Sequence, residues 1–137
     1  MLDWPMTQNQ NIIPKLLLWT IVIHAVLIVL TISEVFIYST FFNAGQAMAA
    51  YEQHAQKYAP YIAIIAGFAI IYVVAVRLKR KNANREELIC FGLPIGYILL
   101  DVVILLMSGT DWKNNFTLFS ISYTTKLLAG YLALKIT

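Results

Sequence analysis

Four long runs of apolar residues, separated by short polar segments, make up most of this chain. They cover residues 16–42, 61–77, 88–108 and 116–135. A helix that crosses the hydrocarbon core of a bilayer needs about 20 apolar residues, and each run is near or above that length. The pattern therefore predicts an all-α fold: a polytopic membrane protein in which residues 1–137 form one domain, a bundle of four transmembrane helices.

The segment 44–59, between the first two runs, is polar and rich in alanine. It carries apolar and aromatic residues at helical spacing, namely Met48, Tyr51, Ala55 and Tyr58. This spacing is typical of an amphipathic helix. We expect a short interfacial helix at the outer surface that ends where Pro60 starts the second span.

Composition supports a membrane protein, since 60% of the residues are hydrophobic and only 12% are charged. Soluble domains are nearer 45–50% apolar and about 25% charged, so a soluble globular enzyme is excluded. A single cysteine among 137 residues excludes a disulfide scaffold. No ligand spacing typical of a metal or cofactor site is present. We therefore expect neither group, and no nucleic acid as a partner.

The basic residues are distributed unevenly between the two ends of the predicted bundle. Seven lie beside the termini or in the loop between the second and third spans: Lys15, Arg77, Lys79, Arg80, Lys81, Arg85 and Lys135. The other two loops carry only Lys57 and Lys113. Because basic residues accumulate on the cytoplasmic side, this distribution predicts that both termini are cytoplasmic. The membrane would be of the bacterial inner (plasma) type.

Three ionisable side chains, Glu34, Asp101 and Lys126, fall within the predicted spans. Each costs about 2.5–3.5 kcal/mol to insert at the centre of a spanning helix. Such residues usually face protein or a water-filled path rather than lipid. We therefore expect all three to point into the bundle.

A polar stripe runs along the first span. At about 100° per residue, its polar side chains fall within about 80° of one another. They are Thr20, His24, Thr31, Glu34 and Tyr38. In the third span Tyr97 lies one turn from Asp101 on the same face. Both faces are expected to line the interior.

The opposite face of the third span carries Gly92 and Gly96, a GxxxG pair that permits close helix contact. We expect this pair to pack either against Ala63 and Gly67 of the second span or against another copy of the chain. Four helices enclose little volume by themselves. A homo-oligomer, a dimer or larger, is therefore expected in the lipid bilayer.

The intramembrane charges favour a transport function. Two carboxylates and one ammonium group at similar depth would leave one negative charge, which binds a proton or a cation. Glu34 and Asp101 would bind the ion, Lys126 would be the counter-charge, and His24 and Tyr38 would form a relay or gate. The hypothesis is a channel or transporter for protons, cations or a small solute.

Two alternatives stay open. The charges would pair structurally if Lys126 and Asp101 joined the third and fourth spans. The chain would then serve as a non-transporting accessory or assembly subunit beside a membrane-protein partner. An intramembrane enzyme acting on a lipid or quinone is a further alternative, because such a site needs only a few polar residues.

Overall fold

The computed structural model describes residues 12–136, which form four α-helices. Helix α1 spans Ile12–Ile37 and continues as a π-helical turn, Tyr38–Phe42. Helices α2, α3 and α4 span Met48–Lys81, Glu86–Ser108 and Trp112–Lys135, with a 3-10 turn at Ala83–Arg85. The prediction of an all-α bundle is confirmed. Residues 1–11 and 137 of the predicted single domain lie outside the described residues.

Three of the described helical segments are long and apolar enough to cross a membrane: Ile12–Phe42, Met48–Lys81 and Ala83–Ser108. Helix α4 is long enough but less apolar, since its first half carries Ser120, Ser122, Thr124 and Thr125. Large apolar side chains are more than half exposed on the first three helices, for example Leu18, Ile32, Ile65 and Leu99. Such a surface suits contact with lipid, because soluble monomers rarely expose apolar patches of this extent.

The expected outer helix and the second span are not separate elements. Residues Met48–Lys81 form one helix of 34 residues, with Pro60 inside it. Proline removes one backbone hydrogen bond and disfavours a helical residue before it. Good helix formers surround Pro60, including several alanines, and they continue the helix on both sides.

The helices are arranged in the order α1, α2, α4, α3 around the bundle, and α2 and α4 share the most extensive contact. Consecutive helices run in opposite directions, so the neighbours α1 and α3 are parallel to each other, and so are α2 and α4. The contacts along α1 and α3 show the direction. Cβ atoms added at Gly92 and Gly96 would lie 3.1 Å from side-chain atoms of Leu16 and Thr20, respectively.

The expectation for the GxxxG pair is therefore corrected. Gly92 and Gly96 pack against α1 of the same chain, not against the second span. The Ala63/Gly67 pair instead faces α4, where it accommodates the side chain of Lys126. A small residue indicates that a helix approaches closely, but it does not identify which helix.

Helices α3 and α4 approach each other closely at Gly130. A Cβ atom there would lie 2.0 Å from the carbonyl oxygen of Cys90 and 3.0 Å from the ring of Pro94. Pro94 has no N–H, so it cannot complete the helical hydrogen bond to the Cys90 carbonyl. A side chain at position 130 would therefore clash with the backbone of α3, and glycine fits there because it has no Cβ atom.

The ends of α3 and α4 follow known capping rules. Gly109 adopts a left-handed conformation with φ 70° and ends α3. The Asp111 side chain accepts hydrogen bonds from the backbone N–H groups of Lys113 and Asn114 and so caps the start of α4.

The far end of α4 is capped from α2. The buried Lys79 Nζ donates to the carbonyl oxygens of Ala133 and Leu134 at 3.0 and 2.9 Å, and also to that of Ile136. An ammonium group is favourable there because the last carbonyls of a helix carry partial negative charge. One of the seven basic residues assigned to the cytoplasmic side is therefore a buried cap.

We expect Gly130→Ala to destabilise the protein far more than Gly96→Ala. The first Cβ would clash with a backbone carbonyl and force α3 and α4 apart, whereas the second meets a single methyl group that shifts slightly. Overpacking costs about 1–3 kcal/mol or more. Thermal unfolding in detergent measures both. Equal melting temperatures for the two variants would contradict the close α3–α4 approach.

We expect Lys79→Met to destabilise the protein, because the substitution leaves the last carbonyls of α4 without their donor. The cost is about 1–3 kcal/mol for buried acceptors left unsatisfied. The exposed neighbour Lys81 provides the matched control, Lys81→Met. Hydrogen exchange at the end of α4 should rise in the first variant alone, and equal exchange in both would show that Lys79 is not a cap.

Candidate functional site

Two separate clusters of polar and ionisable side chains lie between the helices. We call the first the central cluster; its members are His24, Tyr97, Asp101, Ser122, Tyr123 and Lys126. We call the second the loop-end cluster; its members are Glu34, Tyr38, His54 and Tyr58. The loop-end cluster lies beside the α1–α2 connection.

Asp101 joins three helices in the central cluster. The hydroxyl of Tyr123 on α4 donates to Asp101 Oδ2 at 2.7 Å. On the other side, Nε2 of His24 on α1 lies 3.6 Å from Asp101 Oδ1. One carboxylate on α3 therefore contacts a polar group from each of two neighbouring helices.

His24 is held from two directions. Its Nδ1 lies 2.8 Å from the carbonyl oxygen of Thr20, one turn earlier on α1. Its ring stacks on Tyr97, with 4.0 Å between ring centroids. Nε2 is buried and makes no hydrogen bond to any described residue. The ring is thus fixed in orientation, with Asp101 as the neighbour of its free nitrogen.

Lys126 is fully buried, and its ammonium group is stabilised mainly by oxygen atoms. Its Nζ donates to Ser122 Oγ at 2.6 Å, to the Ala63 carbonyl at 3.0 Å and to the Ser122 carbonyl at 3.4 Å. The ammonium group also lies 4.9 Å from the centre of the Tyr97 ring, within cation–π range. Gly67 makes room for it, since a Cβ there would lie 2.9 Å from Lys126 Cε.

Glu34 belongs to the loop-end cluster. Its Oε1 lies 2.5 Å from Nε2 of His54 on α2. The His54 ring stacks on Tyr38 at 3.6 Å and meets Tyr58 at 4.5 Å. The second carboxylate oxygen, Oε2, is buried without a hydrogen-bond partner among the described residues.

The structure does not bring Glu34 to Asp101 and Lys126, as the sequence analysis expected. His24, not Glu34, lies level with Asp101, and ten residues of helix separate the two α1 side chains by about 15 Å. Lys126 and Asp101 are in the same cluster, but they form no ion pair among those found in the described residues. Tyr38 and Tyr97 each stack on a histidine.

Four members of the two clusters were not predicted as site residues: His54, Tyr58, Ser122 and Tyr123. His54 was assigned to an outer segment rather than to the polar interior. Its helical spacing from Tyr51 and Tyr58 was a usable signal, because residues three and four apart share a face. Tyr123 had no comparable signal, since it lies in a stretch of α4 that is polar on several faces.

A cavity of about 550 Å³ leads to the central cluster between α2, α3 and α4. Its lining includes Ala63, Tyr97, Asp101 and Ser122 of the central region. It also includes Gln56, Thr110 and Asn115 near the α3–α4 connection. This volume is within the usual range of about 300–1,000 Å³ for small-molecule sites. Asp101 therefore lines a cavity that extends to the α3–α4 connection.

Comparison with known proteins adds no family to this picture. No protein-family model, no curated protein and no solved structure matches the chain. Among residues 12–136, the structure also forms no group of three or more His, Cys, Asp and Glu side chains that could hold a metal ion.

We expect the Glu34–His54 contact to couple the two helices energetically. A double-mutant cycle with Glu34→Gln and His54→Gln should give a coupling free energy of about 1–3 kcal/mol, because the pair is a charge-assisted contact in partly buried surroundings. Thermal or denaturant unfolding in detergent measures it. A control cycle pairs Glu52→Gln, an exposed acid on α2, with His54→Gln and should give a coupling near zero. Equal couplings in the two cycles would refute a specific pair.

Proposed function

We propose that this chain is an integral membrane protein that passes protons, cations or a small solute through its helical bundle, with Asp101 as the binding group. The observation that carries the proposal is the position of Asp101. This carboxylate lies between apolar helices and also lines a cavity that extends to the α3–α4 connection. Intramembrane carboxylates of this kind are expensive to insert and typically serve ion or proton pathways.

The two ends of the bundle differ in a way that favours a transporter over a permanently open channel. Toward the end that carries the α1–α2 and α3–α4 connections, which we call the loop end, the cavity provides space and polar groups. The opposite end carries the α2–α3 connection with its basic residues, and we call it the basic end. Toward it, the buried side chains are mostly apolar and close-packed, including Leu16, Ile71, Leu78, Ile89 and Leu93. A solute at Asp101 would pass this layer only if the helices moved apart.

The basic residues supply a direction for the path. Five of the basic residues at that end are exposed and can contact the membrane surface: Lys15, Arg77, Arg80, Lys81 and Lys135. If that end is cytoplasmic, as their number predicts, the cavity opens to the outer side. A solute would then reach Asp101 from outside and leave through the apolar layer.

The loop-end cluster fits the same path as a second polar site. Glu34 and Asp101 are both partnered by a histidine from a neighbouring helix, and α1 contributes to both pairs. The π-helical turn begins at Tyr38, beside the Glu34–His54 pair. Such turns are frequent at functional sites, which supports a role for this end of α1 in gating.

The experiment compares wild type with Asp101→Asn in proteoliposomes loaded with a pH dye or an ion-sensitive dye, under an imposed gradient. We expect the substitution to reduce flux at least tenfold, because the amide cannot carry the negative charge that binds the ion. Glu87→Gln is the matched control. It removes an exposed carboxylate from the first turn of the same helix and should leave flux unchanged.

Two outcomes would overturn the proposal. Unchanged flux in a folded Asp101→Asn protein would show that the carboxylate is not on the path. No flux in the wild type, with a partner that purifies with the chain in fixed ratio, would support the accessory-subunit alternative instead.

A further inference from the structure

The orientation of His24 determines which of its ring nitrogens carries a proton. Nδ1 lies 2.8 Å from the Thr20 carbonyl oxygen, which only accepts hydrogen bonds. A contact this short requires a proton on Nδ1. In a neutral imidazole one nitrogen donates and the other accepts. A neutral His24 would therefore carry an unprotonated lone pair at Nε2.

That lone pair would face the wrong group. Nε2 lies 3.6 Å from Asp101 Oδ1, and an ionised carboxylate is also an acceptor. Nε2 is buried and has no other hydrogen-bond partner among the described residues. Two acceptors would then face each other, and the buried Nε2 would be left without a donor among the described residues, which is unfavourable. One additional proton, on either Nε2 or the carboxylate, removes the conflict.

The other groups around the pair do not supply this proton. Tyr97 of α3 contacts the His24 ring through its own ring. The hydroxyl proton of Tyr123 from α4 is directed at Asp101 Oδ2, the oxygen on the other side. Lys126 of α4 directs its protons at Ser122 and Ala63. The described part of α2 contributes the Ala63 carbonyl to this region, but no titratable side chain.

Lys126 keeps the additional proton exchangeable. With Asp101 ionised, His24 neutral and Lys126 charged, the central cluster has no net charge. With the additional proton, it carries one positive charge in surroundings of low dielectric constant, which opposes binding. The contact geometry thus favours a proton on the pair while the nearby ammonium group favours its release. A site that transfers protons needs this balance.

The same contacts disfavour a metal cation at Asp101. One carboxylate oxygen already accepts from Tyr123 and the other faces the histidine. Lys126 would also repel a cation. Among the described residues, no cluster of three ligating side chains is present to hold one. A proton needs one acceptor and no coordination shell.

We infer that His24 and Asp101 form a binding site for one exchangeable proton, and that the proton is the ion handled at the end of the cavity. The first half of the inference depends only on the geometry of the pair. The second half rests on the proposed transport function.

Nitrogen NMR of the ¹⁵N-histidine-labelled protein tests the first half. The chain has two histidines, so His54→Gln leaves His24 as the one labelled ring. We expect Nδ1 to be protonated at neutral pH. We also expect either a second proton on Nε2 or an infrared band of a protonated carboxylic acid. Such a band should disappear in Asp101→Asn and persist in Asp111→Asn.

A neutral His24 ring, in either tautomer, beside an ionised Asp101 would overturn the inference. If Asp101→Asn fails to fold, ¹³C labelling of aspartate in the folded wild type should shift the carboxylic-acid band, with Asp3→Asn and Asp111→Asn as the controls for the other two aspartates. No shift together with a neutral ring would also overturn it.

Flux measurements separate this inference from the proposed function. We expect a pH gradient alone to drive flux in the wild type, and His24→Gln to reduce that flux at least tenfold. A proton held by the pair without any flux would refute the transport function and leave the proton site standing. Flux of sodium or potassium that does not respond to pH, with a neutral His24, would refute the proton site and leave transport standing.

Discussion

The cost of placing charged and polar groups between apolar helices constrains the whole bundle. Most such groups find a partner, and in this structure several of the partners come from neighbouring helices. Every one of the four contacts around the ring of helices contains such a pair. Helix α1 contacts α2 through Glu34 and His54, and α2 contacts α4 through Ala63 and Lys126. Helix α4 contacts α3 through Tyr123 and Asp101, and α3 contacts α1 through Asp101 and His24. Lys79 adds a second link between α2 and α4.

Asp101 has a special place in this arrangement because it participates in two of the four contacts. A change in its charge would alter its contact with α1 and its contact with α4 at the same time. The apolar layer toward the basic end is made by the same helices. Under the proposed function, binding or release of a proton at Asp101 would change how these helices pack, and a transporter requires such a link between its ion and its conformation.

The sequence predicted several features that depend on one helix at a time. Helical character and apolar length follow from runs of residues, and the inward direction of His24, Asp101 and Lys126 follows from their angular position and the cost of exposing them to lipid. The close packing of Gly92 and Gly96 was also visible as a pattern. The continuity of α2 through Pro60 was not, because the cost of proline in a helix depends on whether neighbouring turns compensate it.

Angular position along each helix identifies the side chains that face inward, whereas the packing of one helix against another fixes which of them meet. A stripe on α1 carries both His24 and Glu34, and nothing in the stripe states which one lies level with Asp101. That depends on the order of helices around the bundle and on the shift of α1 along α3. Both are set by contacts between residues far apart in the chain, such as Thr20 with Gly96 and Gly130 with Cys90. The short-range pattern is a property of one helix, whereas each partnership is a property of two.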